Sequence, residues 1–123
     1  MLLAVNGTLM RGLELNPNLI DAGAKFIAEA KTVDQYRLFS IDDVHPAMYR
    51  VETGGNEISV EVWDMDSDGL VSVLEKEPAG LCIGKITLSD GVVMLGVLGE
   101  AIICQGQREI TGYGGWRQYL NAK

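Results

Sequence analysis

The strand-like runs in this chain are all short, and each is cut off by glycine, asparagine or aspartate. Leu2-Leu3-Ala4-Val5 stops at Asn6-Gly7, Met48–Glu52 stops at Gly54-Gly55-Asn56, and Cys82–Leu88 meets Val92–Leu98 across Ser89-Asp90-Gly91. Short runs bounded by such breaks read as strands and turns. Asp-Gly between two apolar runs is a strong hairpin signal. Fifteen glycines against three prolines supply the tight turns that a chain of short strands needs.

The segment Ile58-Ser59-Val60-Glu61-Val62-Trp63 alternates most cleanly, which predicts a half-buried strand with Ile58, Val60 and Val62 on one face and Glu61 and Trp63 on the other. From Lys25 to Thr32, Phe26, Ala28 and Ala30 alternate with Ile27, Glu29 and Lys31, a period of two carrying one extra apolar residue. Tyr36–Ile41 is a further strand, followed by a polar break over Asp42-Asp43-Val44-His45-Pro46. Asn16-Pro17 opens a short helical turn ending near Gly23. Leu70, Val71, Val73 and Leu74 have helical spacing, with Asp66 or Ser67 as N-cap and Pro78 and Gly80 as the stop. The chain closes with a loop from Ile110 into a short helix near Trp116–Leu120. The expected class is α+β: a mixed sheet or small barrel of about seven short strands with one main helix. Residues 1–123 are expected to form a single domain.

Hydrophobic residues make up 47% and charged residues 22%, the composition of a globular protein. Seventeen acidic against ten basic residues give a net charge of -7, which argues against nucleic acid or an anionic membrane as partner. A small anionic ligand remains compatible, because one local arginine suffices for it. Met1–Val5 lacks a basic n-region and is too short for a signal peptide, so the expected location is cytoplasmic. Cys82 and Cys104 lie in apolar surroundings and are expected to be buried, reduced thiols.

Several constellations could carry chemistry. In Asn6-Gly7-Thr8-Leu9-Met10 a strand stops on a glycine, so the next backbone N–H groups lack ladder partners. Such a turn can form a concave nest for an oxyanion or carboxylate, or it can simply end a strand. Asp64-x-Asp66-x-Asp68-Gly69-x₅-Glu75 matches the calcium-loop pattern, although a strand rather than a helix leads into it. The alternative is an acidic turn that caps the following helix. His45 is the only histidine and reads as a surface residue. Glu75 and Glu77 bracket Lys76 at the end of the predicted helix, and a carboxylate beside apolar Leu81 could serve as a general base. Arg37, Arg50 and Arg117 each follow an aromatic residue, and if they converged they could clamp a carboxylate. No cofactor fingerprint, P-loop or nucleophile elbow is present.

Asn6-Gly7-Thr8-Leu9-Met10 resembles the first loop of the γ-glutamylcyclotransferase-like superfamily, Tyr-Gly-Ser-(Asn)-Leu. Nearly the whole chain is similar to the C-terminal domain of allophanate hydrolase. The matching stretches include Gly12-x-x-Leu15-Asn16, Tyr36-Arg37-Leu38-Phe39, Val60-Glu61-Val62-Trp63, Ile83-Gly84-x-Ile86-Thr87-Leu88 and Gly114-Gly115-Trp116-Arg117-Gln118-Tyr119-Leu120. This resemblance implies the cyclotransferase-like fold with its ligand cleft at the loop after the first strand. It implies a protein that binds, and in the enzymatic reading converts, a small amide- or carbamate-type carboxylate in urea or amide nitrogen metabolism. By the same resemblance Asn6, Gly7, Thr8, Leu9, Met10, Arg37 and Trp116 would hold the ligand, and Glu77, with Glu75 in reserve, would be the acid/base. The alternatives are γ-glutamylcyclotransferase-type acyl transfer, or a non-catalytic anion-binding partner docked on a separate amidase. A homodimer also fits the resemblance. Those allophanate hydrolase domains carry a histidine in the first loop, where this chain has Leu9, and the cyclotransferase loop opens with a tyrosine, where it has Asn6.

Overall fold

The computed structural model describes all 123 residues, Met1–Lys123. In chain order the elements are β1 (Leu2–Val5), α1 (Asn16–Asp21), β2 (Lys25–Lys31), β3 (Tyr36–Ile41), β4 (His45–Arg50), β5 (Ser59–Asp64), α2 (Ser67–Lys76), β6 (Leu81–Thr87), β7 (Val93–Gly99), α3 (Ala101–Cys104), β8 (Arg108–Glu109) and α4 (Trp116–Asn121), with a 3-10 turn at Thr111–Tyr113. The fold is α+β with eight strands in two sheets, a five-stranded one in the order β2-β5-β1-β7-β6 and a three-stranded one in the order β4-β3-β8. The sheets do not close into a barrel. No helix is long and apolar enough to cross a membrane.

β1 is the middle strand of the larger sheet, antiparallel to β5 and parallel to β7. Its last three residues are almost fully buried, so whatever follows β1 is delivered into the interior. β5 runs between β1 and β2, and both of its faces are covered. The expected half-buried strand is therefore corrected: Val60 and Val62 on one side and Glu61 and Trp63 on the other are all at most 4% exposed. The extra apolar residue in β2 is a β-bulge, since Phe26 faces Trp63 and Ala28 faces Val62, which leaves Ile27 outside the ladder and exposed.

The second strand of the smaller sheet starts three residues earlier than the expected Met48, at His45. Asp42 and Asp43 turn the β3–β4 hairpin at φ 53° and 57°, so His45 already pairs with Ile41. Pro46 is tolerated because β4 is an edge strand and needs no N–H at that position. Tyr119 in α4 and Ser40 both donate to Asp43 Oδ1, at 2.6 and 2.5 Å, which ties α4 to this turn and holds the Asp43 carboxyl down at about 2. Two glycines then let the sheets approach. A Cβ at Gly99 would lie 2.6 Å from that of Ala47, and one at Gly7 would lie 2.6 Å from the Pro46 ring.

One buried carboxylate fastens the start of the chain to its end. Glu61 Oε1 accepts from the Arg11 backbone N–H (2.9 Å) and from Trp63 Nε1 (3.2 Å), while Oε2 accepts from Arg11 Nε (3.1 Å) and Arg117 Nη2 (3.3 Å). Arg117 Nη2 also donates to the Arg11 carbonyl at 2.9 Å. Arg11 stacks 3.7 Å over the Phe26 ring, and hydrogen bonding to Glu61 raises its pKa above the ordinary arginine value. Removing Glu61 leaves the Trp63 and Arg11 N–H groups without acceptors. Glu61→Ala should therefore lower the unfolding free energy by roughly 3 kcal/mol in a urea titration. Glu61→Gln should lose less, because an amide oxygen at the Oε1 position keeps both acceptors; equal losses would assign the stabilisation to charge alone.

Candidate functional site

The turn after β1 is built so that its carbonyls are used and its amides are not. The carbonyls of Gly7, Thr8, Leu9 and Met10 accept from Met10 N–H (3.0 Å), Leu15 N–H (2.9 Å), Asn16 Nδ2 (2.8 Å) and Leu13 N–H (3.1 Å) respectively. The backbone N–H groups of Gly7, Thr8 and Leu9 donate to no protein acceptor. Asn6 fixes the point of departure from the sheet: its Nδ2 reaches across to the Val97 carbonyl of β7 at 2.9 Å. Consecutive N–H groups without partners are the feature that makes a backbone turn attractive to an oxyanion.

Around this turn lies a pocket lined by Val5, Asn6, Gly7, Thr8, Leu9, His45, Pro46, Glu77, Leu81 and Val97. Its free volume is about 10 Å³, the space of roughly one water molecule. Glu77 reaches it from the residue that ends α2, where the backbone leaves the helix toward Pro78. Its Oε1 is buried and has no hydrogen-bond partner. Burial, with no cation beside it, pushes the carboxyl up to about 7. A carboxyl near 7 holds or releases a proton at neutral pH, which is the property required of a general acid or base.

Asn6, Gly7, Thr8, Leu9 and Glu77 are thus brought together from two separate parts of the chain. Met10 follows the turn but faces a different hollow. Glu75, the reserve base, is exposed on α2 and borders only a shallow surface hollow, away from the turn. Arg37 lies on β3 and pairs with Glu109 at 3.6 Å, and Trp116 is 2% exposed in the core against Tyr119, so neither lines the pocket. The three arginines do not form a common clamp, since Arg50 is exposed at the end of β4 and Arg117 is held by Glu61.

His45 corrects the expectation of a surface residue. It is 7% exposed and forms part of the pocket wall. Its Nδ1 lies 3.0 Å from the Pro46 carbonyl, so a proton on Nδ1 would donate there and leave Nε2 as an acceptor. The sequence signal for this position was the Asp42-Asp43 pair, which tolerates positive φ and so permits a three-residue hairpin loop over Asp42-Asp43-Val44 that starts the next strand at His45.

Of the two readings of the acidic run from Asp64, the structure shows the helix-capping turn. Residues 67–76 are helical, and Asp66 is the N-cap of that helix, accepting from Gly69 N–H at 2.7 Å. Asp68 occupies the first turn, where a negative charge favours the helix dipole. Asp64 pairs instead with the N-terminal amine at 3.1 Å, and no group of three or more carboxylates, histidines or cysteines gathers around a cation position. Gly69 serves packing, because a Cβ there would lie 2.9 Å from the Ala22 carbonyl at the end of α1. Cys104 is buried as expected, but Cys82 is exposed.

The arrangement belongs to a known class of fold. The chain superposes on a γ-glutamyl cyclotransferase with a TM-score of 0.54 over 80% of its length at 16% identity, a likeness of fold. The allophanate hydrolase C-terminal domain family matches residues 1–121, and the chain belongs to that family. The crystal structure of a uropathogenic E. coli-specific protein is 54% identical with a TM-score of 0.96, covering 99% of this chain and 96% of that one. Kluyveromyces lactis allophanate hydrolase is 29% identical with a TM-score of 0.92, over 98% of this chain but 21% of that one. The urea amidolyase of Saccharomyces cerevisiae is 29% identical over 96% of this chain, which spans 7% of that protein's length.

Because folding raises the Glu77 carboxyl from 4.5 to about 7, its contribution to stability is complete below pH 4.5 and is lost as the pH rises through 7. Glu77→Gln should flatten this part of the pH–stability profile and be more stable than the wild type at pH 8, by at most about 3 kcal/mol. Parallel profiles for the two proteins, measured by chemical unfolding at each pH, would contradict the burial described above.

Proposed function

We propose that this protein binds a small amide- or carbamate-type carboxylate at the turn after β1 and moves a proton on it through Glu77, in urea or amide nitrogen metabolism. The observation that carries this reading is the meeting of a partnerless, proton-exchanging carboxyl with three free backbone donors in one pocket. The Gly7, Thr8 and Leu9 amides receive the charge that develops on the ligand's oxygen. Glu77 exchanges the proton, and His45 with Pro46 closes the wall and excludes water. Leu9 is the residue that separates this site from a pocket with a loop histidine, and it makes this part of the wall apolar. The names of the relatives, allophanate hydrolase and urea amidolyase, supply the nitrogen-metabolism context.

Leu9, where the resemblance would have a histidine in the loop, favours a second reading, in which the pocket holds an anion without turnover and the protein acts as a partner of a separate amidase. One pair of measurements separates the two. With allophanate and with γ-glutamyl amides as substrates, Glu77→Gln should reduce turnover by at least about a hundredfold. Calorimetric binding of the same compounds should change little in that variant. Undiminished turnover in Glu77→Gln would refute the proton-transfer role, and saturable binding with no turnover in the wild type would establish the second reading.

A further inference from the structure

A second hollow lies on the other side of the turn. It has a volume of about 390 Å³, within the range of roughly 300–1,000 Å³ typical of small-molecule sites, and shares no residue with the Glu77 pocket. Adjacent residues of the turn face the two spaces, Leu9 toward Glu77 and Met10 toward this hollow. Its walls come from the ends of β2 and β5, from Ser89 beyond β6, and from Arg117 and Gln118 of α4.

The two carboxylates at this hollow are already satisfied. Glu61 is saturated by its four donors, and Glu29 is held by Arg11 Nη2 at 2.6 Å. Two cations of the lining, Arg117 and Lys31, stand against these two carboxylates, while Arg11 pairs with both carboxylates from outside the lining, and the Lys31 ammonium pairs with no carboxylate. Arg117 spends only Nη2 on Glu61 and on the Arg11 carbonyl, so the rest of its guanidinium is open to a further acceptor. The lining is thus neutral on a chain of net charge -7, and with Arg11 satisfying both carboxylates the local cluster carries one excess positive charge, on Lys31. Its neutral groups are arranged to donate as well. Gln118 Nε2 donates to Ser59 Oγ at 2.9 Å, which leaves the hydrogen of the Ser59 hydroxyl free for another acceptor.

We propose that this hollow is a second ligand site, for a small monocarboxylate that also carries a hydroxyl group. The carboxylate is held between the Lys31 ammonium and the free Nη1 of Arg117, each a charge-assisted donor. The hydroxyl is placed against Ser59, Ser89 and Gln118. This site is independent of the reaction at Glu77 and does not depend on whether that pocket turns over its ligand.

The test is titration of the isotopically labelled protein with lactate, followed by amide NMR shifts, with lactamide as the uncharged control. Lactate should cause saturable shifts at Lys31, Ser59, Arg117 and Gln118 that lactamide does not. Lys31→Gln should weaken binding about five- to tenfold; Lys31 is exposed and its side chain makes no hydrogen bond, so the fold is preserved. Arg117→Lys, which keeps the charge but has one ammonium to share between Glu61 and the ligand, should weaken it further. Equal shifts with lactamide, unchanged affinity in Lys31→Gln, absence of saturable shifts, or shifts confined to Gly7–Leu9 and Glu77 would each overturn the proposal. The last of these would place the carboxylate in the turn pocket, so the two sites are told apart by the same data.

Discussion

The carboxylate of Glu61 holds together the segment after β1, the strand β5 and the last helix. Buried at 2% exposure in a strand with two covered faces, it would be prohibitively unfavourable if unpaired. Four donors satisfy it, and they come from the segment after the turn, from its own strand and from the last helix. A bond from the Arg11 backbone fixes where the turn ends, as the Asn6 side chain on Val97 fixes where it begins. Between these two anchors the chain has little freedom, so the free amides of Gly7, Thr8 and Leu9 are presented in a fixed geometry. Preorganisation of this kind lets backbone donors stabilise charge without reorganising when a ligand arrives.

The second constraint is the approach of the two sheets. Gly7 and Gly99 omit the side chains that would hold β4 away, and Pro46 and Ala47 fill the space. The consequence is a pocket scarcely larger than a water molecule, closed on one side by His45 and on the other by Glu77. The same tightness strips water from Glu77 and lifts its carboxyl into the neutral range. Shape and proton affinity are therefore two results of one packing arrangement.

Much of this was legible in the sequence because it rests on local signals. The Asp90-Gly91 hairpin, the Asn6-Gly7 turn and the helix before Pro78 follow from turn chemistry and periodicity, and the extra apolar residue near Ile27 is the bulge itself. What was not legible depended on tertiary neighbours. The alternation of Ile58–Trp63 suggests one wet face, but β1 and β2 flank that strand and its polar member, Glu61, is buried by partners up to 56 residues away. His45 looked exposed beside a proline and two aspartates, because nothing local reveals that Gly7 lies against Pro46. The acidic run from Asp64 matched a metal motif by spacing alone, while its backbone is helical and turns the carboxylates to capping. Family resemblance located the Gly7 turn and Glu77, which local reading alone left undecided.

The central claim is that Glu77 is a buried, proton-exchanging group facing the turn. It is tested most directly by following the Glu77 side-chain carboxyl carbon by NMR across a pH titration. The account predicts a midpoint near 7, displaced when a small carboxylate occupies the pocket, because a second negative charge beside it favours the protonated form. A midpoint close to 4.5, unmoved by ligand, would contradict it.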